Sequence, residues 1–227
     1  MFLRFERTSR STIGSRKRTG FISFTSFGPS GFRRFPLIPV LKVLLTAVGI
    51  AGETVTAMRD GKFQAIGNTQ HIAMYTAFCV HGLSEIFVFY RSAVATPLRL
   101  EYVSLAMAFF VEGILFQFHL HGRPMMDVHL HTFLYYVVYG CAVFAAVEIK
   151  FRSSILVPTV RCSLTFLQGI WFWFIAFVLH SPWPGISNWN QEDHNDNMLV
   201  TAMFGFAICF TFVTTTVIAF VAYCWSK

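Results

Sequence analysis

LEYVSLAMAFFVEGILFQFHLHGRPMMDVHLHTFLYYVVYGCAVFAAVEIK, residues 100–150, reads as two apolar runs joined by a short polar segment. The runs extend from Leu100 to Phe118 and from Thr132 to Val147. Stretches of this length and apolarity span a bilayer as helices. The segment between them, HLHGRPMMDVHLH (119–131), is therefore a tight polar turn at one membrane face. It gathers His119, His121, His129 and His131, four of the eight histidines of the chain, together with Arg123 and Asp127. Ionisable groups placed this way can bind a metal, shuttle protons or hold helices in register.

The same pattern recurs along the chain. Apolar runs cover about 37–57, 71–90, 100–120, 129–149, 162–180 and 198–225. Hydrophobic residues make up 55% of 227 and charged residues 13%, against about a quarter charged in an ordinary soluble domain. Backbone polar groups in hydrocarbon need internal partners, so each run is a helix or a barrel strand. Barrel strands alternate apolar and polar residues, and these runs do not. The fold class expected is all-α, a polytopic membrane bundle of six transmembrane helices over 37–227. Residues 1–36 form a basic tail, which composition predicts to be disordered. Cys79, Cys141, Cys162, Cys209 and Cys224 lie in or beside apolar runs with no CxxC pair. They read as small buried hydrophobes, not as a disulfide framework or a thiolate zinc site.

Charge sets the expected orientation. Putting the N-terminal tail in the cytoplasm places fourteen Lys/Arg on that side, and only Arg59, Lys62 and Arg123 opposite. Lys42 sits inside the first helix, near enough to its end to snorkel. The positive-inside rule then predicts two cytoplasmic termini and a lumenal or extracellular turn at 119–131. The net charge of +7 is mostly this topology signal, so the expected partners are the lipid bilayer, other membrane proteins or further copies of the chain, and not nucleic acid. The tail itself, with eight Lys/Arg and the single acid Glu6, suits three readings. It can be a transit peptide, a cytoplasmic segment touching anionic lipid, or the product of a truncated gene model.

Five blocks carry a family resemblance: LKVLLTAVGIAGE (41–53), QHIAMY (70–75), AFFVEGILFQFHLHGRPMMDVHLH (108–131), CSLTFLQGIWFWFIAFVL (162–179) and WNQEDHNDNM (189–198). In this order and spacing, the chain from about Leu41 to Tyr223 resembles the transmembrane protein 45 family, whose activity is not established. The resemblance implies a seven-helix membrane protein of Golgi and endosome–lysosome membranes. No counterpart of the family's first helix is found, and the basic tail stands in its place.

Histidines and carboxylates supply the candidate sites. On the expected topology seven of the eight histidines lie toward one face, with His81 alone deep in the membrane, so the rim can act as a pH sensor. Residues seven or four apart share a helix face, which aligns Glu112 with His119 and Asp127 with His131. These four form a candidate ligand set for zinc, iron or manganese, with His121 and His129 as possible additions. The competing reading is a hydrogen-bonded turn in which Arg123 pairs with Asp127. Glu53, His81, Glu85 and Gln168, with Glu112, form a candidate intramembrane polar core, because ionisable groups in hydrocarbon face a bundle interior or a wet cavity. His81 and Glu85 are four apart, and Glu112 is expected to point toward Gln168 or His81. Glu101 and Glu148 are read as near-surface, solvated or paired with nearby arginines. Trp183 and Trp189 suit an interfacial belt, whereas Trp171 and Trp173 are expected to pack.

No G-x-G-x-x-G, Walker loop, G-x-S-x-G or H-E-x-x-H occurs, which removes the common nucleotide and hydrolase readings. Three functions remain. The first is a non-enzymatic membrane protein acting in trafficking or signalling through partners. The second is an intramembrane metal-dependent enzyme using the His119–His131 turn. The third is a small transporter or proton-coupled carrier using His81, Glu85 and Glu112.

Overall fold

A computed structural model describes residues 35–91, 99–180 and 189–225, and the backbone of 5–6 and 20–21. Within the tail, β1 (Phe5–Glu6) pairs antiparallel with β2 (Gly20–Phe21). Residues 1–4, 7–19 and 22–34 lie outside the described residues, as does Trp183.

Six helices long and apolar enough to cross a membrane make up the described bundle. They are α1 (Leu37–Ala57), α2 (Asn68–Tyr90), α3 (Leu100–Phe118), α4 (Met125–Lys150), α5 (Leu156–Leu179) and α6 (His194–Trp225). The all-α membrane bundle expected from the apolar runs is the architecture found. Boundaries differ where polar residues join a helix. Helix α4 starts right after Pro124, whose fixed φ suits a helix start, so His129 and His131 are helical and the true turn is 119–124. Gly122 bends that turn at φ +75°. Helix α5 begins six residues ahead of the expected 162, with Pro158 in its opening turn, and this brings Arg161 into the helix.

Short local devices join the helices. Between α1 and α2, β3 (Met58–Arg59) and β4 (Lys62–Phe63) make a two-residue hairpin. Asp60 and Gly61 both take positive φ there, as a type I′ turn requires. Asn68 opens α2 and ties it back to α1 by donating to Glu53 O at 3.0 Å and to Thr56 Oγ1 at 2.9 Å. Asp193 Oδ2 accepts from the backbone N–H groups of Asn195 (2.9 Å) and Asp196 (3.1 Å), which satisfies orphan donors at the start of α6.

Each of the first five helices packs mainly on its neighbours in sequence, and α6 packs on α5 and α4. Helix α4 is central. Met126, Leu130, Leu134, Val138, Cys141 and Ala145 form a fully buried stripe along it, at the three-to-four residue spacing of one helix face. Lipid tails give helices no hydrophobic drive to associate, so close contact and polar bonds take over. A Cβ on Gly113 would stand 2.6 Å from the Tyr139 ring, so α3 and α4 approach where a side chain is missing. Trp171 is buried and donates from Nε1 to Leu130 O at 2.9 Å. Trp173, expected to pack, instead points outward at 81% exposure, because two residues along a helix is about 200° of rotation.

Candidate functional site: a polar cavity inside the bundle

Helices α1 and α5 hardly touch, yet both line a cavity of about 660 Å³ with α2 and α3. Its polar lining is Lys42, Thr46, Tyr75, His81, Glu112, Arg161, Thr165 and Gln168; Leu45, Met74, Phe78, Leu105, Phe109 and Phe172 supply apolar wall. Lys42 and Arg161 each lie five residues from the start of their helices, about 7.5 Å in at 1.5 Å per residue. Gln168 lies seven residues further along α5 than Arg161, about 10 Å. The cavity thus has a cationic level toward the Lys150/Leu156 end of the bundle and a carboxyl–amide level near its middle.

At the cationic level, Lys42 Nζ lies 2.6 Å from Glu85 Oε2 and 3.2 Å from His81 Nε2. An ammonium group only donates, so His81 Nε2 is the acceptor and its hydrogen sits on Nδ1. That hydrogen goes to Ser104 Oγ at 3.1 Å, and Ser104 in turn donates to Glu101 O at 3.3 Å. The chain links α1, α2 and α3. Glu85 Oε1 is left buried without a hydrogen bond, 3.5 Å from His81 Nε2. This fits the tautomer, since neither atom then carries a hydrogen. On the other wall Arg161 Nε donates to Glu148 Oε2 at 2.6 Å, joining α5 to α4. Glu148 is fully buried, not near-surface; Arg161 is the arginine it pairs with.

At the middle level, Gln168 Nε2 is 3.0 Å from both Glu112 oxygens. Gln168 Oε1 accepts from Cys141 Sγ at 3.7 Å, so one amide holds α3, α4 and α5 together. The expected polar-core residues therefore divide. His81 and Glu85 share the cationic level, Glu112 and Gln168 the middle, and Glu53 lies apart, with His71 Nδ1 at 3.1 Å from its Oε1 near the far ends of α1 and α2. Lys42 and Arg161 were absent from the expected core. Their signal was a cation inside an apolar run with carboxylates on the adjoining helices.

The histidine turn forms a second network. Arg123 Nη1 donates to Asp127 Oδ2 at 2.7 Å and Nε to His119 O at 3.1 Å. Arg123 Nη2 also donates to His119 Nε2, and His119 Nδ1 donates to Gln70 Oε1. Guanidinium cannot accept, so the tautomer is fixed as in His81. Burial, with the Arg123 guanidinium next to the ring, pushes the His119 imidazole down to about 4 against the pull of Asp127. His131 Nδ1 lies 2.6 Å from Asp127 Oδ1. His129 Nδ1 meets Asn197 Oδ1 at 3.1 Å, clasping α4 to α6, while His121 is exposed. Of the four candidate ligands, Glu112 is thus engaged by Gln168, His119 and Asp127 hold Arg123, and His131 leans on Asp127. Among the described residues, no three His, Cys, Asp or Glu side chains come together as a ligand set.

Residues 99–221 match the family of unknown function DUF716. The matched region contains Glu112, the histidine turn, Glu148, Arg161 and Gln168, and it leaves α1 and α2 outside. Since it spans more than half of the sequence, this multi-pass membrane chain belongs to the DUF716 family.

Proposed function

We propose that the protein works as a small-molecule carrier or receptor of the membrane, with the cavity among α1, α2, α3 and α5 as its binding site. The supporting observation is a space of about 660 Å³, within the usual range of ligand sites, roughly 300–1,000 Å³. Its apolar walls and few convergent polar groups are the usual make-up of such a site. His81 and Glu112 on its walls supply proton-exchanging groups for a coupled carrier. Trafficking or signalling through protein partners is a compatible output of ligand binding. Golgi and endosome–lysosome membranes are the proposed setting. The metal-enzyme reading requires Arg123 to leave His119 Nε2, the lone pair a metal would use. It stands behind the carrier reading for that reason.

Native mass spectrometry of the full chain in mild detergent tests the proposal. The wild type is expected to retain about one small molecule per chain. Leu45→Trp, at an exposed cavity-lining position, should lose it while staying folded. A bare wild type that also moves no solute or proton in proteoliposomes would overturn the carrier reading. Elemental analysis of the same preparation separates the metal reading, which demands near one equivalent of zinc, iron or manganese.

A further inference from the structure

We infer that the cavity takes a single-chain amphiphile with an acidic head, a carboxylate or a phosphate, entering sideways from the membrane between α1 and α5. The inference rests on the binding-site reading above and assigns the ligand's chemistry.

Shape comes first. Among the described residues, two helices that border a cavity without packing on one another leave a lateral gap, which opens in the plane a bilayer would occupy. Lys42 is 31% exposed and Leu45, one turn further along α1, is 68% exposed, so the gap has a cation and an apolar edge. Beyond the cations, Phe78, Phe109 and Phe172 line the space. At the ~30 Å³ that one water occupies in the liquid, the cavity holds on the order of twenty heavy atoms. That is about the size of one acyl chain with a compact head.

Charge decides the head. Glu85 and Glu148 pair with Lys42 and Arg161, and neither carboxylate lines the cavity. The cations do line it. Glu148 takes the Nε hydrogen of Arg161, so among the described residues the terminal guanidinium nitrogens are donors that a ligand can use. Lys42 gives two of its three hydrogens to Glu85 and His81 and keeps the third. A head rich in acceptors meets charge-assisted donors from both walls, the strong class of hydrogen bond. A cationic head would meet two like charges, Lys42 and Arg161, at this level. Glu112 is the lining carboxyl, but it belongs to the middle level with Gln168, beside the chain and away from the head.

The test offers oleate, 1-oleoyl lysophosphatidate, oleyl alcohol and oleylamine to the full chain in detergent, each alone and in equimolar mixture, with adducts counted by native mass spectrometry. One acidic amphiphile per chain is expected, favoured at least tenfold over the alcohol and the amine. The ratio of oleate to lysophosphatidate tells carboxylate from phosphate. Lys42→Gln combined with Glu85→Gln removes both charges together, so no carboxylate is stranded, and should erase most of the preference. Leu45→Trp should block all four probes. Equal uptake of alcohol, amine and acids would overturn the acidic head. So would a co-purified molecule without an acidic group, but that result would leave the cavity's role standing. No adduct with any probe would overturn the acidic amphiphile, and with nothing retained from the membrane and no flux in proteoliposomes it would overturn both.

Discussion

Gln168 reaches across from α5 to stand 3.0 Å from both oxygens of Glu112 on α3. Both side chains are buried, and a buried donor or acceptor stripped of its partner costs about 1–3 kcal/mol. Glu112→Leu should therefore lower the thermal midpoint by several degrees in a detergent unfolding assay. Glu101→Leu should change it less. Equal, negligible shifts would mean that the pair does not organise the interior.

The Lys42–Glu85 pair makes a sharper demand. Glu85 is 4% exposed, and removing one partner of a buried ion pair typically costs about 3–5 kcal/mol because the other charge is stranded. Lys42→Met alone should destabilise strongly, while Lys42→Met with Glu85→Leu should recover most of the loss. A double-mutant cycle in unfolding free energy measures the coupling, and strict additivity would count against the pair.

Acid should loosen the histidine turn. His119 is held neutral in the fold down to about 4, whereas an unfolded histidine takes up its proton near 6.5. The unfolded chain thus binds more protons between these values. The contribution is fully present above about 6.5 and is lost progressively as pH falls toward 4. His119→Gln should flatten the part of the stability profile between pH 6.5 and 4 relative to wild type. Parallel profiles would assign the acid sensitivity elsewhere.

Orientation can be read at His121, which is exposed in the turn. With the basic tail in the cytoplasm, His121→Cys should react with an impermeant thiol reagent from the lumenal or extracellular side of sealed vesicles, in a background lacking the other cysteines. Reaction from the cytoplasmic side alone would reverse the assignment.

Helix number and class were legible because apolar runs of membrane length have few other uses. The Glu112–Gln168 approach was legible for a related reason: a carboxyl in hydrocarbon must face a partner, and few exist. Lys42 was harder, since a lysine near a helix end can equally reach for the surface, and only tertiary contact shows it turned to Glu85. Arg161 was hidden by a boundary. The apolar residues before it, LVPTV, begin the helix, but a charged residue beside a loop invites assignment to the loop. The start of α4 at Met125, ahead of the expected 129–149 run, was hidden likewise, as Asp127 stays helical with Arg123 to receive it. Trp173 shows the limit of composition, because an aromatic ring serves lipid and core equally well.

Helix α6 has 32 residues, about 48 Å of rise, against a hydrocarbon thickness of about 30 Å. Only Asn197, Val200 and Thr211 along it are buried. Mismatch on this scale is relieved by tilting, by kinking or by a deformed bilayer. Up to Thr211 the helix is held on α4 and α5, through the His129–Asn197 clasp and the stacking of Phe204 on Phe133, so the excess length falls on the residues beyond. A bilayer of different thickness is thus met first by the segment after Thr211, while the packed half of α6 stays with the rest of the bundle.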